Sequence, residues 1–94
     1  MAAPNKRRLF VGNIDFEMLS KQLGSLFGQY GELRDVYLPQ DRNNRSTRLN
    51  KGYAFVEFRD EINAQVAMDE VNAQPEPFFG RQLLVKIADV KKDE

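Results

Sequence analysis

The order in which two hydrophobic periods alternate along this chain leaves it few folds to adopt. Apolar runs of period two read as strands, and apolar residues three and four apart read as helices. Leu9-Phe10-Val11-Gly12-Asn13-Ile14, with its β-branched and aromatic residues, is the first strand. Residues 15–18 connect it to a helix that begins near Leu19 and lines up Leu23, Leu26, Phe27 and Tyr30. Ser20 is the nearest good N-cap, and Gly31 suits the far end. Leu33 to Leu38 is the second strand, with Val36 and Leu38 on one face and Asp35 and Tyr37 on the other. Pro39 ends it, and the polar residues 40–51 form a loop. Tyr53 to Phe58 is the third strand. Asp60 caps a second helix whose stripe is Ala64, Ala67, Met68 and Val71. Pro75-Glu76-Pro77 breaks the chain and Gly80 turns it. Leu83 to Ile87 is the fourth strand, with Leu83, Val85 and Ile87 inward.

The order is β-α-β-β-α-β, the split βαβ arrangement. It implies an α+β, ferredoxin-like fold: a four-stranded antiparallel sheet with two helices on one face. A chain of 94 residues has room for one such domain. Residues 1–8 read as a flexible basic arm, 9–89 as the domain and 90–94 as a flexible, solvated tail.

Two helices cover one face of the sheet, so the other meets water or a partner. Alternation assigns the faces. Ala54, Val56 and Phe58 point inward, which turns Tyr53 and Phe55 outward. Leu9 and Val11 point inward, which turns Phe10 outward, and Tyr37 follows by the same rule. An exposed aromatic patch of this kind marks a binding surface. A one-residue slip would bury these rings instead, but three strands would have to slip together. The few residues after Ala88 would make only a thin cover.

Composition excludes several functions. Without Cys or His there is no disulfide, no thiolate or histidine metal site, and no Ser–His–Asp or Cys–His nucleophile. There is no phosphate-binding Gly-rich loop and no cluster of carboxylates in an apolar setting. The expectation is a binding domain, not an enzyme, with no cofactor and no metal. No apolar run approaches the roughly 20 residues of a membrane span. The start of the chain lacks the apolar stretch of a secretory signal. The lack of Cys suits an intracellular protein without requiring one.

The 14 basic and 14 acidic residues cancel in total but not in place. Lys6, Arg7 and Arg8 lie in the arm. Arg42, Arg45, Arg48 and Lys51 face a single acid, Asp41, in the loop before the third strand. Asp60, Glu61, Asp69, Glu70 and Glu76 have no basic residue among them. Positive segments thus lead into the aromatic strands, and negative ones lie with the helices behind. Exposed rings flanked by cations are what single-stranded nucleic acid needs, since every base has a π-face.

Lys51-Gly52-Tyr53-Ala54-Phe55-Val56-Glu57-Phe58 matches every position of the RNP1 octamer of RNA recognition motifs. Leu9 to Ile14 resembles the companion RNP2 hexamer. The resemblance covers roughly residues 8–89, and in this family two or three bases stack on the motif aromatics. It implies single-stranded RNA of about three to four nucleotides as partner. Phe10 and Tyr53 would be the stacking platforms, Phe55 would pack against sugars, and Lys51 would reach a phosphate. Asn13 of the hexamer joins the RNA-contact set, as do Arg42, Arg45, Arg48 and Lys86; Arg81 and Lys86 are the weaker candidates, and Lys86 is expected to face outward beside Leu84 and Ala88. Asp35 to Arg42 is similar to the matching stretch of serine/arginine-rich splicing factors, where an outward Tyr adds a base contact. That likeness implies a role for Tyr37, pre-mRNA splicing or other mRNA processing, and a nuclear protein that can shuttle to the cytoplasm. The Ser-Arg repeats of those factors are absent here.

The other reading is a protein-interaction module, through the acidic helical face or a masked sheet. Peptide-binding versions of the fold usually carry Arg-x-Phe before the fourth strand and lose the motif aromatics. Here that loop reads Gly80-Arg81-Gln82-Leu83 and the aromatics are intact. Phe78 or Phe79 would be the exposed aromatic for such a partner. The chain is expected to be a monomer.

Overall fold

The elements run β1 (Arg8–Gly12), α1 (Ser20–Gly28), β2 (Leu33–Tyr37), β3 (Ala54–Phe58), α2 (Glu61–Asn72) and β4 (Leu84–Ile87). They come from a computed structural model that describes residues 6–40, 49–74 and 80–88. The strands form one antiparallel sheet in the order β2-β3-β1-β4. This is the β-α-β-β-α-β fold expected from the periodicities, with the RNP-like strands β1 and β3 at its centre.

The core lies between the inward face of the sheet and the helices. Leu9, Val11, Ala54, Val56, Phe58, Leu83 and Val85 supply the sheet side; Leu23, Phe27, Ala64, Ala67 and Val71 supply the helices. Each fully buried Leu, Val or Phe contributes about 1.5–3 kcal/mol. Phe27 and Phe58 meet edge to face, with ring centroids 6.5 Å apart.

Three local features depart from the simple patterns. Leu33 and Val36 both pack on the core although they are three residues apart. The β2–β3 register explains this: Leu33 pairs with Phe58 and Asp35 with Glu57, so Arg34 is an extra residue in a bulge. Helix α1 is capped at Leu19, not Ser20: the Leu19 N–H donates to Gln22 Oε1 at 2.8 Å. The glutamine three residues in thus does the work expected of a capping hydroxyl. The C-cap of α1 is Gln29, with Gly31 two residues beyond it. Asp60 is the N-cap of α2, as expected, through its backbone and without a side-chain bond.

Arg8, read as the last residue of the basic arm, is the first of β1 and pairs with Glu57. The Pro75–Pro77 break, Phe78, Phe79, residues 1–5 and the tail from 89 onward lie outside the described residues.

Candidate RNA-binding face

The outward side chains of the sheet form rows set by register. In one row Tyr37 on β2 stands beside Phe55 on β3, Phe55 beside Phe10 on β1, and Phe10 beside Lys86 on β4. Neighbouring strands lie about 4.8 Å apart, so the row crosses the whole sheet with three rings and one cation. Tyr53, just before β3, extends the surface toward the end of the sheet.

The rings touch one another. Phe10 and Tyr53 are near-parallel, 6.1 Å apart with an interplanar angle of 21°. Phe55 stands edge-on to both, 5.7 Å from Phe10 and 6.0 Å from Tyr53. Gly12 makes room for this: a Cβ there would lie 3.0 Å from Phe10 Cε2. Phe10, Tyr53 and Phe55 are half-buried, while Tyr37 is 53% exposed. A cation lies over two of the rings. The Arg8 guanidinium is 5.1 Å from the Phe55 centroid, and Lys86 Nζ is 5.4 Å from that of Phe10.

The next row carries charge. Arg8 Nη1 is 3.1 Å from Glu57 Oε1 and 3.5 Å from Asp35 Oδ2. One expected cation of the arm is therefore neutralised on the sheet by two carboxylates of the same face. Neither Lys86 nor Arg81 has a carboxylate partner among the described residues.

Lys51 is exposed at the entry to β3, its N–H bonded to Pro39 O at 3.0 Å. The structure thus brings Phe10, Tyr37, Tyr53, Phe55 and Lys86 onto one surface, with Lys51 at its margin. Asn13 is engaged within the molecule. It adopts a left-handed φ of 59°, its Nδ2 donates to Gln82 O at 2.9 Å, and its Oδ1 accepts from Arg81 Nη1 at 2.9 Å. Arg42, Arg45 and Arg48 lie outside the described residues. Lys86 and Leu84 are exposed as expected, but Ala88, expected beside them, is 4% exposed. Its N–H pairs with Arg8 O at 2.8 Å, and it lines one hollow with the larger residues Phe10, Phe55, Lys86 and Ile87.

Sequence reasoning missed Asn50. It is buried, at 2% exposure, in the segment read as polar loop. Its Nδ2 donates to Asp15 O at 3.0 Å and Met18 O at 2.9 Å, and its Oδ1 accepts from Gly52 N at 2.6 Å. It fastens the β1–α1 connection to the entry of β3, where Gly52 takes a left-handed φ of 88°. One signal was available: an amide residue two before a glycine can close an Asx turn.

A model of the RNA recognition motif family matches residues 9–84, and the chain belongs to that family. It is 38% identical over 79 residues to Multiple RNA-binding domain-containing protein 1 of Schizosaccharomyces pombe, covering 84% of this chain. It spans only 9% of that relative's length. Among solved structures, RNA Binding Protein PG1 superposes with a TM-score of 0.77 at 33% identity, over 94% of this chain and 99% of the other. A Sex-lethal protein–RNA complex superposes with a TM-score of 0.80 at 25% identity, over 93% of this chain and 49% of the other. RNA binding is the function that this membership supports.

Proposed function

We propose that this domain binds three to four nucleotides of single-stranded RNA across the open sheet face, and does no chemistry on them. The observation that carries the reading is the row Tyr37–Phe55–Phe10–Lys86, with Tyr53 against Phe10. Bases stack on Phe10 and Tyr53, Phe55 packs against the sugars, and Tyr37 extends the platform toward the sheet edge. Lys51 and Lys86, with Arg42, Arg45 and Arg48 of the loop, meet phosphates. Asn13 acts by holding Arg81 and the approach to β4. Each stacked base is worth about 1–3 kcal/mol, so two or three stacks with a few phosphate contacts reach micromolar affinity, about −8 kcal/mol.

The setting we propose is nuclear mRNA processing, with pre-mRNA splicing foremost; it rests on the likeness of Asp35 to Arg42 to serine/arginine-rich splicing factors. The domain acts as a monomer in this reading. An NMR titration with short single-stranded RNAs tests the RNA reading. Shifts are expected on Phe10, Tyr37, Tyr53, Phe55 and Lys86, with the helices silent. No shifts on the sheet at millimolar RNA would refute it.

The helical face supports a second, compatible reading. Ile62 and Val66, one helical turn apart on α2, are 72% and 43% exposed. Glu61, Asp69 and Glu70 of the same helix are exposed too. An apolar pair among acids suits a basic, apolar protein segment.

A further inference from the structure

Three rings among the described residues have a side-chain cation over them. Two are Phe55 under Arg8 and Phe10 under Lys86, both in the row across the sheet. The third is Phe16, in the connection between β1 and α1, with the Arg81 guanidinium 5.5 Å from its centroid. We propose that Phe16 and Arg81 form a further nucleotide subsite, beyond Tyr53 at the end of the sheet, which takes one additional base of the single-stranded RNA. This rests on the RNA reading above and extends its footprint.

The subsite is built, not incidental. Phe16 is 49% exposed, unusual for a ring whose only task is packing. It lies close over Gly52: a Cβ at that glycine would come 2.9 Å from Phe16 Cε1. Gly52 immediately precedes Tyr53, so the ring stands against the residue that leads into the aromatic strand β3. The backbone that carries Phe16 is pinned, with Asn50 N donating to Phe16 O at 2.9 Å and the Asn50 side chain holding Asp15 and Met18 on either side.

Arg81 is positioned with equal care. The left-handed turn at Asn13 ends β1 and brings that side chain against both Gln82 O and Arg81 Nη1. The guanidinium is thereby held above Phe16 by a neutral amide. Arg8 is spent on Glu57 and Asp35, whereas Arg81 keeps its charge for a ligand. A base stacks on the solvent-reached side of Phe16, and Arg81 supplies a cation to the phosphate of that nucleotide.

The test is a length series of single-stranded RNAs of one composition, from three to six nucleotides, titrated into the protein and into Phe16→Leu and Arg81→Gln. Phe16→Leu keeps an apolar side chain against Gly52 and removes the π-face; a thermal melt confirms that each variant folds. The protein itself is expected to gain about fivefold or more in affinity at the step where the strand outgrows the sheet. Both variants are expected to lose that step. Equal steps in the protein and in Phe16→Leu would overturn the subsite while leaving the sheet reading intact. No binding to the protein at any length would overturn both.

Discussion

Arg8 holds Glu57 at 3.1 Å while its guanidinium lies 5.1 Å from the centre of the Phe55 ring, so a cation, an acid and an aromatic of the RNA face form one contact set. Replacing Glu57 by Gln removes a negative charge from that face and leaves Arg8 with Asp35, at 3.5 Å, as its remaining carboxylate neighbour among the described residues. RNA affinity is expected to rise about two- to fivefold at low salt, with the gain fading as salt is added. Binding isotherms at two ionic strengths check this; a loss of affinity would mean that Glu57 itself contacts the ligand.

Asn50 closes three hydrogen bonds from a buried position. Asn50→Ala leaves the Asp15 and Met18 carbonyls and the Gly52 N–H without their partner. A stability loss of about 2–3 kcal/mol is expected, read from the urea midpoint at unchanged slope.

Salt dependence separates stacking from bulk charge. Lys51, Lys86 and Arg81 are the described cations placed to meet phosphates, and a single strand gives roughly −0.7 per contact. With these three engaged the log–log slope of affinity against salt is expected at about −2, and with Arg42, Arg45 and Arg48 of the loop engaged as well at about −4. A slope near −6 would show that charge, not stacking, carries the affinity.

Ile62 lies on the far side of the domain from the rings. Ile62→Ser is expected to leave RNA affinity unchanged and stability within about 0.5 kcal/mol. A pull-down with a basic, apolar peptide would then read the helical surface without disturbing the RNA face.

The fold was legible because helix and strand periods differ, and here they alternate cleanly. Phe10, Tyr53 and Phe55 followed from alternation because the β1–β3 pairing contains no irregularity, and Tyr37 because the pairing from Asp35 to Tyr37 is regular beyond the bulge. Alternation fails where a residue is added: Arg34 bulges out of β2, and only the pairing with β3 reveals it. Charge by segment placed Arg8 in the basic arm that leads into the aromatic strands, but segment sums carry no register, and register sets Arg8 against Glu57. Asn13 was grouped with the RNA contacts by its place in the hexamer; its partners, Arg81 and Gln82, are nearly 70 residues away in sequence and come near only through β1–β4 pairing. Asn50 and Phe16 sit in connections, which have no period to read.

The central claim is that aromatic stacking on the open sheet binds RNA. The most direct measurement is fluorescence anisotropy of a labelled four-nucleotide single-stranded RNA against the protein and against the double variant Tyr53→Ala/Phe55→Ala, with circular dichroism confirming that both are folded. The protein is expected to bind in the micromolar range, and the double variant at least about thirtyfold more weakly. Equal affinity for both would contradict the account.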